Sequence, residues 1–438
     1  MKYRSLTEGL DLAAQGKQMY ELASELFPVC RSITGEGLRA TLRTIQKSIP
    51  ISVHEIPTGT AVLDWTVPQE WNIREAYIAD LSGRRVVDFK SNNLHVLNYS
   101  IPVKKRISLT ELKAHLHSLP DKPDLIPYRT SYYNPTWGIC LSHNQLESMT
   151  DPEYDVCIDS TLTDGHLTYG EYLLAGESTG EILISCHSCH PSLANDNLSG
   201  IVLSTALAKV LGGEMRRLSY RFIFAPGTIG AITWLSQNET AVSRTKGGLV
   251  VACVGDSGDF NYKRSRQGTS ELDRAVEYVL AQSGRPFKVR PFSPYGYDER
   301  QYCSPGYNLA VGSLTRTYHG QYPQYHTSAD NLNFISATAL ADSLGMYLEV
   351  IEVLEHNLTY ENQNPKGEPQ LGRRGLYRAL GGLPDAGAQE MALLWVLNLA
   401  DTKHTLLEIA QQSGLPFVAI AKAAERLEEF GLLRVTSA

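Results

Sequence analysis

Residues 185–200, SCHSCHPSLANDNLSG, form the densest run of metal-capable side chains in the sequence. His187, His190 and Asp196 share this one loop, and imidazole nitrogen with carboxylate oxygen suits Zn²⁺, which accepts both. The loop follows EILIS, an apolar run that reads as a buried strand, and precedes NLSGIVL, which reads as a helix. It therefore sits at a strand's carboxyl end, where open α/β sheets place their ligands. A single loop histidine would ordinarily just hydrogen-bond the backbone; two histidines and an aspartate beside a strand end point to a metal. Cys186-His187-Ser188-Cys189-His190 also has the spacing of c-type haem attachment. Haem attachment needs an exported chain, and the charged N-terminal segment has no apolar core of a secretory signal, so that reading is set aside. Cys186 reads instead as a small buried strand residue.

Two further loops are expected to end on the same side of the sheet. YGYDERQYCSPG precedes the strand NLAVGSL and brings Asp298, Glu299 and Arg300; YHGQYPQYHTSADN follows it and brings His319, Tyr325, His326 and Asp330. Taken alone, the charged triplet is a solvated turn, and Ser328 or Asp330 a helix cap. Three loops converging at strand ends favour a site. Arg300, Arg316, His319 and Tyr325 are the expected substrate contacts, joined by Arg129 and Tyr132 from an earlier segment.

The elements that must position these loops alternate between strand and helix. EILISCH, LSYRFIFAP, GGLVVACVGD and NLAVGSLTR read as strands. NLSGIVLSTALAKVLGG, TIGAITWLSQN, SELDRAVEYVLAQSG and SATALADSLGMYLEVIEVLEHN read as helices. Such alternation predicts an α/β domain, a mixed, mostly parallel sheet sandwiched by helices. It comprises residues 1–52, which are helical in pattern, and 156–375. Residues 53–155 consist of short β-rich runs such as EAYIADLSGRRVVDF, and contain Trp65, Trp71, Tyr132, Tyr133 and Trp137; they predict a small inserted β domain. After a Gly/Pro-rich stretch, residues 384–438 read as three helices and a short strand, a winged helix.

Composition bounds the function. With 438 residues the chain exceeds what one core usually serves, so several domains are expected. A net charge of −7 disfavours general nucleic-acid binding. In the tail, Lys403, Lys422, Arg426 and Arg434 face Asp385, Glu390, Asp401, Glu408, Glu425, Glu428 and Glu429, the wrong balance for gripping phosphate. The tail is therefore expected to pack or dimerise, giving a homo-oligomer that binds neither DNA nor membrane. No apolar run approaches the roughly 18 residues of a membrane span. Seven cysteines, an odd number, make no disulfide framework. A cytoplasmic protein is expected.

HPSLANDNLSG, DERQYCSPG and YHTSADNL, with PYRTSYY and WGIC, resemble the aminopeptidase-like family along essentially the whole chain. The resemblance implies a zinc-exopeptidase-like fold with an inserted β domain and a C-terminal winged helix, carrying one or two Zn²⁺ per chain. Wider relatives are co-catalytic zinc aminopeptidases and glutaminyl cyclases. Their ligands are an early His, an Asp that can bridge two metals, a Glu, a later Asp and a final His, with a second Glu as general base. Carried over, Asp196 matches the bridging Asp, Asp298 the later Asp and His326 the final His. His187 and His190 both remain candidates for the early His. The departure is FAPGTIGAI, where the Glu pair should fall at Gly227 and Thr228; family members commonly show Pro-Glu-Thr-Ile-Gly. Glu299 is then the expected substitute base. The resemblance implies a zinc-dependent hydrolase acting on an amide of a small peptide or aminoacyl conjugate, in small-molecule or polysaccharide biosynthesis. Two rivals stand beside it: a metal-assisted cyclisation, transfer or lyase step, and a ligand-binding protein without turnover.

Overall fold

The structure, a computed structural model, describes residues 3–376 and 386–437. Part of the Gly/Pro-rich stretch and the expected first residues of the winged helix, 384 and 385, lie outside them.

Mostly apolar runs form the centre of an eight-stranded sheet. Ser219–Ala225, Glu181–His187, Thr245–Val251 and Val311–Thr315 lie side by side in that order, all parallel. Every residue of Glu181–His187 and Ser219–Ala225 is buried, as a strand covered on both faces requires. Each flank joins the centre through an antiparallel pair, and the outermost Phe287–Arg290 runs parallel to its neighbour Phe260–Lys263. His166–Leu174 and Ser52–Pro57 extend one side, while Phe260–Lys263 and then Phe287–Arg290 extend the other. The expected mostly parallel sheet is thus a parallel centre with antiparallel joins at both flanks. Because the four central strands run the same way, their carboxyl ends share one edge.

Helices cover the sheet. Leu12–Leu26 packs on the long Ala337–His356 helix, and Gly16 allows the contact, since a Cβ there would lie 2.2 Å from the Ala337 carbonyl oxygen. Ser199–Leu211 starts from the metal-capable loop and is buried along almost its whole length.

The inserted domain is a four-stranded sheet in the order Arg85–Asp88, Glu70–Ala79, Glu153–Thr163, Val103–Ser108. This moves both sequence boundaries. Ser52–Pro57 belongs to the large sheet, and Glu153–Thr163 belongs to the insertion. The chain leaves and re-enters the large sheet through an adjacent antiparallel pair, with Pro57 opposite His166.

The winged helix contains Ala386–Leu399, Leu406–Ser413 and Phe417–Glu429, with a sheet in the order Asp401–Thr405, Thr359–Asn362, Leu433–Ser437. Its central strand precedes the Gly/Pro stretch, so the domain begins near residue 358 rather than 384. Leu397, Ile409 and Leu427 are buried in a core shared with the α/β domain, and Leu394 packs against it. These apolar faces of the tail helices are therefore covered within the chain, the packing role expected of the tail. Arg274 pairs with Glu408 at 2.9 Å, and the Phe417 N–H donates to the Tyr278 hydroxyl. No described helix is long and apolar enough to cross a membrane.

Because this core is continuous, Leu427→Ala should cost about 2–5 kcal/mol and lower the melting temperature of the whole chain in one calorimetric transition. A new low-temperature transition that leaves the main one in place would show independent cores.

A candidate metal centre

The strand Glu181–His187 ends on His187, whose Nε2 lies 2.8 Å from Asp196 Oδ1. His326 Nε2 lies 3.0 Å from the other oxygen, Oδ2, and His190 Nδ1 lies 3.9 Å from Oδ1. One carboxylate thus has imidazoles at both oxygens, and its residue has no solvent exposure. Burial pushes the Asp196 carboxyl up, but His190, His187 and His326 outweigh it and hold the carboxyl well below its ordinary range. Burial likewise holds His190 well below the ordinary imidazole value, so it stands neutral, the form that binds metal.

Backbone and side-chain bonds fix this arrangement. The turn Ala194–Leu198 is irregular at Asp196 and Asn197 and contains a cis Asp196–Asn197 peptide. The N–H groups of Asn195 and Asp196 donate to the two oxygens of Asp330, at 2.6 and 3.0 Å. Asn197 Nδ2 donates to the carbonyls of His187 and Val251, stitching the turn to two strand ends. Buried Arg31 donates to the carbonyls of His190 and Pro191. His326 has a left-handed backbone, φ 54°, held because the Tyr128 N–H bonds its carbonyl and Ser328 pairs with Ile126. A strained residue persists where its surroundings over-determine it.

The donors fit a zinc ion. Ligand atoms of His187, His190 and Asp196 all lie within 4.8 Å of one another, and His190 Nδ1 is a buried atom with no hydrogen-bond partner. Two imidazoles and a carboxylate leave a fourth position open, the pattern of catalytic rather than structural zinc. Among the described residues this is the one such group.

Asp298 lies beside the cluster. Its Oδ1 accepts the Thr228 N–H at 2.6 Å; burial pushes its carboxyl up to about 6, with His187 drawing it back. Gly227 ends the turn after Ser219–Ala225, and its N–H donates to Cys189 Sγ at 3.3 Å. A Cβ at Gly227 would lie 3.5 Å from His187 Cβ and 3.6 Å from Cys189 Sγ, ordinary contacts, so the position faces His187 and accommodates a Cβ. Burial pushes the Cys189 thiol up to about 12, which keeps it an unreactive thiol.

The structure brings His187, His190, Asp196 and His326 together, with Asp298 alongside, but it redirects several other expected residues. Glu299, the expected substitute base, is buried in an ion pair with Lys263 at 2.7 Å and bonds none of the cluster residues. Arg316 is turned away onto Asp342 and the Asp256 carbonyl. Arg129 is exposed, and its charge acts on His117 and Cys140 of the inserted domain. The rest stay near. Arg300 Nη2 donates to Thr228 Oγ1, and its Nε has no partner. Tyr325 stacks on His326 with ring centres 4.0 Å apart. His319 packs against Tyr297, which itself stacks on His187, and burial lowers His319 to about 4. Tyr132 reaches the cluster through Tyr128, whose ring stands edge-on to both His190 and His326.

Sequence reasoning missed Arg31, Asn197, Tyr128 and Tyr297, and read Asp330 only as a cap. Asp330 follows His326 by four positions, and that proximity was the available signal.

The family described as Domain of unknown function (DUF4910) matches residues 20–357, and a winged helix-turn-helix description matches residues 358–435. A Clostridium acetobutylicum protein, provisionally assigned as a polysaccharide biosynthesis protein with an aminopeptidase-like domain, is 52% identical over 96% of each chain. A crystal structure of a provisionally assigned peptidase from Clostridium acetobutylicum superposes with a TM-score of 0.93 at 50% identity, over 97% of this chain and 98% of that one. A zinc aminopeptidase from Bacillus subtilis shares the fold, with a TM-score of 0.55 at 14% identity, over 77% of this chain and 94% of that one.

Asp330 holds the Asp196 turn without facing the metal position, so Asp330→Ala should lower zinc affinity by about 10–100-fold in competition with a chromophoric chelator. Unchanged affinity would show that other bonds suffice to hold the turn.

Proposed function

The chain belongs to the DUF4910 family, and on that premise we propose that it is a zinc-dependent hydrolase of aminopeptidase type, acting on an amide in a biosynthetic compound. One observation carries the reading: the fully buried Asp196 is flanked by His187, His190 and His326 at the carboxyl edge of parallel strands. Zinc bound there supplies Lewis acidity to a substrate carbonyl and to an attacking water. A single ion, held by His187, His190 and Asp196, accords best with the donors. Gly227 offers no further ligand, and Thr228 Oγ1 already accepts from Arg300.

The chain's own residues divide the remaining work. Arg300 and His319 carry unpartnered nitrogens beside the cluster, suited to hold substrate polar groups. Tyr128, Tyr297 and Tyr325 wall the histidines and limit water. Asp298 keeps Oδ2 for a proton or the metal, since Oδ1 takes the Thr228 N–H. The carboxylate that normally takes the proton is missing at Gly227, and Lys263 engages Glu299. These two facts also support a second reading, a protein that binds its ligand without turnover.

Wild type should show little activity on a panel of aminoacyl amides and dipeptides. Gly227→Glu, whose Cβ meets only ordinary contacts, should raise hydrolysis by roughly 10²–10⁴-fold, the typical worth of a positioned general base. A folded, zinc-loaded Gly227→Glu variant with no gain would favour the binding reading, and strong wild-type peptidase activity would contradict the account of the missing base.

A further inference from the structure

The inserted domain turns a group of aromatic rings outward next to the metal centre. Trp65 and Tyr133 are 40% and 47% exposed, large for aromatic side chains, and their ring centres lie 5.6 Å apart. Beside them opens a cavity of about 170 Å³, walled by Tyr99, Tyr132, Tyr133, Leu162, Gln69 and Asn134 together with two prolines. No charged side chain lines it. Tyr99 and Tyr132 both have left-handed backbones, φ 75° and 27°, a conformation side-chain-bearing residues seldom adopt and one that gathers at ligand clamps. Tyr99 is locked by bonds to Thr34 and the Gln69 carbonyl. The Gln69 amide nitrogen donates to Asp164, which leaves its amide oxygen to accept from a ligand.

The cavity lies close to the metal centre. The Tyr132 hydroxyl meets the Tyr128 hydroxyl at 3.0 Å, and the Tyr128 ring stands 5.0 Å from His190 and 5.2 Å from His326. Two side chains therefore separate the cavity from the metal centre.

These features select an occupant. A neutral lining gives no oppositely charged partner to a phosphate or a carboxylate. The volume is below that of a drug-sized pocket and too small for a helix or a folded peptide. Flat aromatic faces match the C–H face of a sugar ring, and primary amides at the rim match its hydroxyls, which both donate and accept.

We propose that this cavity is a saccharide subsite, seating one ring of a neutral or N-acylated oligosaccharide. Resting on the hydrolase reading above, the same placement would bring an amide carried on that saccharide to the Asp196 centre.

The test titrates zinc-loaded, full-length protein with cellobiose and N,N′-diacetylchitobiose, with the dipeptide Leu-Leu as the competing occupant, by calorimetry and tryptophan fluorescence. Saturable binding of at least one saccharide is expected. Tyr133→Ala should weaken it roughly tenfold, the scale of one lost aromatic contact, and Trp65→Phe should remove the fluorescence change. Both residues are exposed, so both variants should keep wild-type melting temperature and zinc content. Chelator-treated protein should still bind the saccharide; saccharide binding without any amide turnover would then count against the hydrolase reading and leave the subsite standing. Absence of saturation by either saccharide, equal affinity in Tyr133→Ala, or displacement of the saccharide by Leu-Leu would overturn the proposal.

Discussion

A carboxylate with no exposure to water stays charged only if the fold supplies compensating groups at both oxygens. Asp196 is in that position, and much of the α/β domain is arranged around it. His187 comes from the end of a central strand, His190 from the loop whose backbone Arg31 grips, and His326 from a loop clamped by the inserted domain. Asp330 and Asn197 hold the turn that presents the carboxylate. Removing any one imidazole leaves buried charge less compensated, so the cluster is under structural as well as chemical constraint. A divalent cation among these donors would take over the compensation that the imidazoles provide through hydrogen bonds.

The same fold leaves a gap on one side of that cluster. Gly227 stands against His187 with space for a Cβ, where the family resemblance implies a glutamate. The neighbouring carboxylates do not fill it. Asp298 is the N-cap, with helical backbone angles, of the short helix that Glu299 begins, and successive residues at such angles point about 100° apart at 3.6 residues per turn. With Asp298 turned to Thr228 beside His187, Glu299 is carried to Lys263 instead. The inserted domain contributes in another way, since Tyr128 joins the histidines to a neutral aromatic cavity. The proposed hydrolase would rely on binding surface more than on a carboxylate base, which accords with a dedicated substrate better than with general peptidase work.

Much of this was legible in the sequence. The buried strand before His187, the helix after Asp196 and the long helix at Ala337–His356 follow directly from apolar runs and periodicity. His187, His190, Asp196 and His326 stood out because metal-capable residues clustered at strand ends. What was hidden depended on tertiary pairing. Phe260–Lys263 and Phe287–Arg290 are short and partly polar, so nothing marked them as strands until they added to the sheet's flank. The central strand of the winged helix lies before the Gly/Pro stretch, which placed the domain boundary too late. Arg316 follows a buried strand, yet its direction was set by Asp342 on a distant helix. The role of Asp330 needed the fold, because its partners, Asn195 and Asp196, are far away in sequence.

A single metal held at Asp196 by two imidazoles is what the proposed chemistry requires. Crystals soaked in zinc and measured at the zinc absorption edge test it most directly. One anomalous peak within bonding distance of His187, His190 and Asp196, roughly 2.0–2.2 Å from each donor, is the predicted result. An absent peak there, or a second peak of equal height between Asp196 Oδ2 and His326, would contradict it.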